Sequence, residues 1–359
     1  MRDDTKKENL LTKVLRIVAP GTLLREGIEN ILRAKTGGLI VVGSTQQVQS
    51  IMDGGFAIQC PLTPSHIYEL AKMDGAIIVS DDLKEIEYAN INLNPDHTLP
   101  TSETGTRHRT AERVARQTGQ LVICISQRRN VITLYQGAFR YALQDIGVIL
   151  TKANQAIQTL EKYKSVLDQS LTNLSALEFE ELVTLQEVTL VLQRFEMVLR
   201  IKAEIRRYIS ELGTEGRLIS MQLDELVSQV DEDAYLLVKD YAKVRHDGTP
   251  HQVLRALDDL GADELLDGVL VGKILGHQVS GDINEQPLSS RGYRILNKIA
   301  RLPQPVIENL VDEFHTLSSM LAASIEELDV VEGIGLVRAR AVREGLRRIR
   351  EQVFIDRHL

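Results

Sequence analysis

The apolar pattern of the chain changes its period once, near Leu150, and that change limits the fold more than any single motif. Before it, short Ile- and Val-rich runs alternate with amphipathic stretches. After it, every apolar stripe repeats at three and four residues, the spacing of one helix face. From Gly21 to about Leu150 the runs "GGLIVVG", "FAIQC", "AIIVS", "IEYANINL", "LVICIS" and "VITLY" read as strands. Helices are expected between them. Thr22 caps "LLREGIENILRAK". Thr63 caps "TPSHIYELAKM", with Pro64 at the first helical position, where its missing N–H costs nothing. A third helix opens inside "ETGTRHRTAERVA", with Thr104 and Thr106 as candidate N-caps, and stops at Gly119. The short polar "QRRN" between "LVICIS" and "VITLY" predicts an antiparallel hairpin. Residues 1–150 are therefore expected to form an α/β domain with a mixed central sheet.

An all-α spine is expected over residues 151–286. Ala156, Leu160, Tyr163, Leu167 and Leu174 mark one stripe; Leu185, Val188, Leu192, Phe195 and Leu199 a second; Ile219, Leu223, Leu226 and Val230 a third. "ELGTEG" is a turn between two of these helices, and no chemistry is visible in the region. A 43% apolar and 26% charged composition is that of a globular protein. No stretch reaches the ~18 unbroken apolar residues of a membrane span, and "MRDDTKKENLL" has no apolar signal core, so no membrane partner and a cytoplasmic location are expected. The two cysteines, Cys60 and Cys124, are expected to be reduced and buried, without a disulfide or a zinc site. With no Trp and 4% aromatic residues, stacking is a poor way for this chain to hold single-stranded nucleic acid.

An all-α domain is expected over residues 287–359, built on a weak repeat. "IARLPQPVIENLVDEF" and "LDVVEGIGLVRARAVREG" share an apolar run, a three-residue turn and a helix. Ser324 and Glu327 have capping-box spacing before the second turn. "VEGIGLVRARA" resembles the helix-hairpin-helix motif of DNA repair and recombination proteins, with Gly333 and Gly335 flanking Ile334, and Ala339 or Ala341 packing the second helix. Glycines let a backbone turn tightly beside a phosphate, which free N–H groups at the helix start can hold. Arg338, Arg340, Arg343, Arg347, Arg348 and Arg350 follow, against the single acid Glu344. Gly333, Ile334, Gly335, Arg338 and Arg340 are the candidate DNA contacts, which position without reading sequence. The same residues also fit a helical hairpin with a solvated basic face. The first copy lacks glycines and is assigned to packing.

Arg107, His108 and Arg109 raise a different question in a chain of formal charge −8. They fall in the first turn of a helix, where cations are disfavoured by the partial positive charge of the N-terminus. An anion offsets that cost. Arginine forks match phosphate oxygens. No Walker A sequence is present, "GGLIVVG" lacks the order of a dinucleotide fingerprint, and the eight histidines show no HExxH spacing. Asp74, on an Asp-Gly turn directly before "AIIVS", is the second part of the device. A carboxylate at a sheet end beside phosphates can hold Mg²⁺ or orient a hydroxyl.

"DGA" (Asp74, Gly75, Ala76) together with "RHRTAE" (Arg107 to Glu112) resembles the signature of the diadenylate cyclase family. The resemblance extends over nearly the whole chain in domain order. It implies that two ATP molecules are joined into cyclic di-AMP with loss of two pyrophosphates, using Mg²⁺ or Mn²⁺, in a homo-octamer whose cyclase domains face each other in pairs. It also implies that branched DNA such as a Holliday junction, bound at the C-terminal domain, lowers cyclase output. Asp74 would act at the ribose 3′-hydroxyl and its metal. Gly75 and Ala76 would shape the turn beside the nucleotide. Arg107, His108, Arg109, Thr110 and the neighbouring Thr106 would hold the triphosphate. Ser126 and one or both of Arg128 and Arg129 would reach phosphate as well. Membrane-type relatives carry acids after the corresponding serine; Gln127 and Arg128 stand there in this chain. Apart from the resemblance, a DNA-binding protein that only senses nucleotide, or an ATPase-driven DNA remodeller, remains open.

Overall fold

The computed structural model describes residues 2–243, 249–279 and 281–357. Contacts group the chain into two compact units: residues 1–154 with 206–220, and residues 155–205 with 221–359. The helical segment 151–286 contributes to both.

The first unit is an α/β sandwich around one mixed sheet. Its strands are β1 (Gly38–Val42), β2 (Met52–Asp53), β3 (Phe56–Pro61), β4 (Ala76–Val79), β5 (Glu85–Leu93), β6 (Leu121–Ser126), β7 (Val131–Gln136) and β8 (Phe139–Ala142). They lie in the order β2-β5-β4-β1-β6-β7-β8, and β3 pairs with β5 beside β2. β1 runs parallel to β4, and the remaining pairings are antiparallel, the β6–β7 hairpin included. The helices are α1 (Arg2–Ile17), α2 (Leu23–Arg33), α3 (Gln46–Gln49), α4 (Pro64–Leu70) and α5 (Thr106–Thr118).

Both faces of the sheet are covered, which is why its central strands are apolar throughout rather than alternating. Ile40, Val42, Ile77, Val79, Ile123 and Ile125 pack on one side with Val14, Leu24, Ile28, Ile31 and Ile67 from α1, α2 and α4. Leu39, Val41, Ala76, Ile78, Val122 and Cys124 pack on the other with Val48 of α3 and Ala111, Val114 and Ala115 of α5. Thr22 and Thr63 cap α2 and α4 as expected. The cap expected for α5 is different. Gly105 occupies the N-cap, Thr106 is the first helical residue, and no side chain caps the helix. β2 and β8 were not visible in the sequence. β2 is two residues long, and β8 follows β7 across the tight Gly137 turn, where φ is +57°.

The helices from Leu143 onward are α6 (Ile146–Glu180), α7 (Leu185–Leu212), α8 (Arg217–Leu226), α9 (Val230–Tyr241), α10 (Thr249–Asp258), α11 (Ala262–Leu265), α12 (Gly268–Ile274), α13 (Tyr293–Asn297), α14 (Gln304–Phe314), α15 (Leu317–Ala322), α16 (Ile325–Asp329) and α17 (Leu336–Arg357). No helix among the described residues is long and apolar enough to cross a membrane. The expected repeat is present as two short-helix, turn, long-helix pairs, α13–α14 and α16–α17, sharing one core with Ile295, Leu296, Ile307, Leu310, Ile334, Ala339, Val342 and Leu346. Ser324 and Glu327 form the reciprocal capping box of α16.

Candidate active site

The strand register gathers the candidate cyclase residues at one end of the sheet. Ile40 of β1 stands beside Ile77 of β4 in parallel register, so Asp74, two residues before β4, lies at the same end of the sheet as Gly37, the residue before β1. Gly38 stands opposite Ile125 of β6, so the next position sets Ser126 beside Gly37. Asp74 and Ser126 thus lie at the same ends of the two strands that flank β1, Asp74 on the bend before β4 and Ser126 as the last residue of β6. Helix α5 is joined to β6 by Gly119 and Gln120 alone and packs beside it, which returns its N-terminus to the same end. The Arg107 side chain proves the point: a Cβ placed on Gly37 would lie 2.1 Å from its Nη1 and 3.0 Å from its Cζ. Gly37 is therefore the floor on which this guanidinium rests. No role is assigned to Gly37 from the sequence; its signal is the double glycine Gly37–Gly38 at the start of β1.

Asp74 is exposed on a bend and its side chain has no hydrogen-bond or ion-pair partner among the described residues. Gly75 follows with φ +101°, and a Cβ on it would lie 2.8 Å from the carbonyl carbon of Asn90 and 2.9 Å from the oxygen of Ile91. Only glycine satisfies both the left-handed conformation and the approach to the β5 backbone. Ala76, fully buried, then starts β4 opposite Ile91.

At the mouth of α5 the cations are graded in exposure. Arg107, His108 and Thr110 are half-buried, while Thr106 and Arg109 are exposed. The first turn contains no acid. Burial holds the His108 imidazole below its ordinary pKa; the Glu103 charge opposes this, and Arg129, Arg107 and Arg140 add to it. Ser126 is buried, and its Oγ accepts from the Arg129 N–H at 3.2 Å, closing the turn to β7. The Arg129 guanidinium donates to Thr104 Oγ1 at 3.3 Å, which aims it at the α5 mouth; Arg128 and Arg129 are both exposed.

The segment before α5 is tethered at three points. Glu112 accepts from Thr101 Oγ1 at 2.6 Å, Ser102 N–H at 3.0 Å and Arg116 at 2.8 Å. Glu103 accepts from Tyr135 Oη at 2.8 Å and Arg140 Nε at 2.7 Å. Burial works to raise the Glu103 pKa, but the hydrogen bonds from Arg140 and Tyr135 more than offset it and keep the carboxylate charged. Thr104 completes the set through Arg129. This Glu103–Tyr135–Arg140 support behind His108 escaped the sequence reading.

For a metal, Asp74 is the available carboxylate at this end. Among the described residues no cluster of three or more His, Cys, Asp or Glu side chains could cage an ion. Such a donor set fits Mg²⁺ or Mn²⁺ shared between one carboxylate and phosphate oxygens, the usual way Mg²⁺ is held with a nucleotide.

At the other candidate site, Gly333 has φ +82° and Ile334 is buried in the core. A Cβ on Gly335 would meet nothing within 4 Å, so its outer side is open to a close approach. Arg338 folds back and donates to the Gly333 carbonyl at 2.6 Å, while Arg340 projects freely into solvent. Ala339 is the alanine that packs the second helix; Ala341 is exposed.

Comparison with known proteins gives the family. Residues 25–139 match the family model described as DisA bacterial checkpoint controller nucleotide-binding, and residues 143–284 match the DisA bacterial checkpoint controller linker region. The chain is 58% identical to the DNA integrity scanning protein DisA of Carboxydothermus hydrogenoformans over 96% of its own length and 98% of the relative's. It is 57% identical to that of Bacillus pumilus, covering 97% of each chain, and 56% identical to that of Bacillus subtilis, covering 99% and 98%. With two family models spanning most of its length and relatives matched end to end, the chain belongs to the DisA family.

Proposed function

We propose that this diadenylate cyclase joins two ATP molecules into cyclic di-AMP with release of two pyrophosphates, and that branched DNA held at the Gly333–Gly335 turn lowers its output. The observation that carries this is the common sheet edge: the register of β4, β1 and β6 brings the Asp74 carboxylate, the Ser126 turn and the cationic start of α5 together. A carboxylate and a cationic, acid-free helix N-terminus are the complementary parts needed for a hydroxyl nucleophile and a triphosphate.

In the reaction, the 3′-oxygen of one ATP forms a bond to the α-phosphorus of the other as the bond from that phosphorus to the β-phosphate oxygen breaks, and the 3′-oxygen of the second attacks the α-phosphorus of the first in the same way, so two bonds form and two pyrophosphates leave. Asp74 holds the 3′-hydroxyl and takes up its proton. Arg107, His108 and Arg109, with Thr106 and Thr110, grip the phosphates, and Ser126 with Arg129 and Arg128 reach them from the β6–β7 turn. Negative charge grows on the departing pyrophosphate, so fixed donors aimed there stabilise the transition state more than the ground state. Gly75 and Ala76 keep the bend beside the nucleotide rigid. Asp74 would also hold Mg²⁺ or Mn²⁺, which would supply positive charge at the phosphates. Each chain carries one such edge, and the product needs two ATP. Facing copies, in the homo-octamer that the family resemblance implies, turn a bimolecular encounter into a positioned one. In the C-terminal domain the start of α17, just after Gly335, offers backbone N–H groups to a DNA phosphate, the Ile334 N–H being donated to the Val331 carbonyl, with Arg340 on the following turn and Arg338 bracing the Gly333–Gly335 turn.

The test is incubation of the full chain with ATP and Mn²⁺ or Mg²⁺, with and without a four-way junction. Expected are a product of two linked AMP units, two pyrophosphates per product, and less product with the junction. Asp74→Asn keeps ATP affinity and loses the product. Full product from that variant removes Asp74 from the mechanism, and release of inorganic phosphate in place of pyrophosphate points to an ATPase.

A further inference from the structure

Gly37 and Gly38, at the start of β1, face opposite sides of the sheet. A Cβ on Gly38 would meet Ile125 Cδ1 at 3.3 Å, Ile31 Cδ1 at 3.6 Å and Ala71 Cβ at 3.8 Å, apolar groups of the core on the α2 and α4 side. A Cβ on Gly37 would meet Arg107 on the α5 side, towards which Leu39 and Val41 of the same strand also point. Neither glycine has a positive φ, so the backbone itself does not demand glycine at 37. What excludes a side chain there is the Arg107 guanidinium, with Nη1 at 2.1 Å and Cζ at 3.0 Å from the added carbon. That guanidinium has no hydrogen-bond or ion-pair partner among the described residues. Arg129 is held by Thr104 and Arg140 by Glu103, but Arg107 is half-buried and held by packing alone. Its height over the sheet is therefore set by the missing side chain at 37. Its charge also reaches the Cys124 thiol on the same sheet face, where it works against the burial that pushes that thiol up to about 12.

We propose that Gly37 is a positioning residue for the cyclase reaction: by carrying no side chain it lets the Arg107 guanidinium lie at the start of the middle strand, where the α-phosphate of ATP is attacked. The proposal rests on the diadenylate cyclase reading of the site. β1 lies between β4 and β6. Asp74, which takes the ribose 3′-hydroxyl, precedes β4, and Ser126, which reaches the phosphate chain, ends β6. In ATP the α-phosphate stands between the ribose and the β- and γ-phosphates. A nucleotide laid from Asp74 to Ser126 therefore carries its α-phosphate over the start of β1, above Gly37. A guanidinium already fixed there, with its donors free, needs no reorganisation as charge shifts on that phosphate. The hold on the bound triphosphate is shared with His108, Arg109, Arg128 and Arg129. Displacing Arg107 then costs the transition state more than the bound substrate.

The experiment is a double-mutant cycle on the full chain with Gly37→Ala, Arg107→Ala and the two combined, and with Gly38→Ala as the control. Cyclic di-AMP formation is followed across ATP concentrations, and thermal unfolding checks that each variant is folded. Gly37→Ala is expected to lower kcat about tenfold or more and to change the KM for ATP by less than about threefold. In the Arg107→Ala background the same substitution is expected to change kcat by no more than about twofold, because the group it displaces is gone, and Gly38→Ala is expected to stay within the same limit. Crystal structures of the natural chain and of Gly37→Ala, which need no turnover, are expected to show the guanidinium displaced and the β1 backbone in place. Equal loss in both backgrounds, an equal loss from Gly38→Ala, an unchanged kcat in Gly37→Ala, or an unmoved guanidinium overturns the proposal. A natural chain that makes no cyclic di-AMP removes the reaction reading instead, and the displacement of the guanidinium then decides whether Gly37 positions Arg107.

Discussion

Glycine at position 75 answers two separate demands. Its φ of +101° strains any residue with a side chain, and the added carbon would press against the Asn90 and Ile91 backbone rather than a side chain that could move away. Gly75→Ala is therefore expected to destabilise the first unit by about 2–3 kcal/mol and to shift Asp74, seen as a lower melting temperature and loss of cyclic di-AMP formation. Glu103 acts at one remove. It touches Tyr135 and Arg140, and its charge raises the His108 pKa against those of Arg129, Arg107 and Arg140. Glu103→Gln removes the charge that raises the His108 pKa, so the alkaline limb of the kcat/KM profile, where His108 loses the proton with which it holds phosphate, is expected to move to lower pH. The accompanying loss of about tenfold in kcat/KM corresponds to about 1.4 kcal/mol of transition-state stabilisation. A profile that falls in height without moving makes Glu103 merely structural. Asp74, Gly75 and the cations of α5 were legible because their signals are local. Glu103 was not, because its partners lie 32 and 37 residues farther along the chain.

At the scale of elements, α5 shows why a local signal can mislead. Two threonines at a helix start suggest a hydroxyl cap, yet the helix begins at Gly105 with no side-chain cap, because Thr104 is engaged by Arg129 from another strand turn. The N-terminal N–H groups are left uncapped by side chains at the place where a phosphate is expected. The preceding segment is held instead by Glu112, one turn and a half into the helix. Burial works to raise the Glu112 pKa, and the hydrogen bonds from Thr101, Arg116 and Ser102 overcome it, so the folded value lies below the ordinary carboxylate range. A depressed folded pKa gives stability that is present above the unfolded value and lost as pH falls through the folded one. Glu112→Gln is expected to cost about 1–3 kcal/mol at pH 7. The gap to the natural chain should close as pH drops from about 5 to 3, measured by urea denaturation at each pH. A gap that stays constant over that range shows that the ionised carboxylate is not what holds the segment. Strand placement was legible wherever both faces of a strand are buried; β2 and β8, short and at the rims of the sheet, were not.

For the whole molecule, the single change of apolar period near Leu150 located the end of the sheet, but the way the C-terminal helices are fastened was out of reach of sequence. Arg294 and Glu178 form an ion pair at 2.5 Å with side chains 1% and 0% exposed, 116 residues apart. Ser175 accepts from Arg294, and Tyr241 donates to Glu178. Asp240 accepts from the backbone N–H groups of Gly292, Tyr293 and Arg294 and so caps α13, a five-residue helix with no side-chain cap of its own at Gly292. The network joins α6, α9 and α13 within the second unit, and Arg294 Nε has no hydrogen-bond partner among the described residues. Removing one member of a buried pair strands the other charge, which costs about 3–5 kcal/mol, while removing both leaves no charge uncompensated. Arg294→Met alone is therefore expected to destabilise the second unit by that amount, and Glu178→Leu alone by a similar one. The double variant should lose less than their sum by about 1–3 kcal/mol, as neighbouring residues in one network do. Urea unfolding gives the energies, and hydrogen exchange assigns them: faster exchange is expected within residues 155–205 and 221–357, with the sheet of the first unit unchanged. Strict additivity of the two substitutions would mean that the pair does not act as a unit and that α13 is held by Asp240 and apolar packing alone.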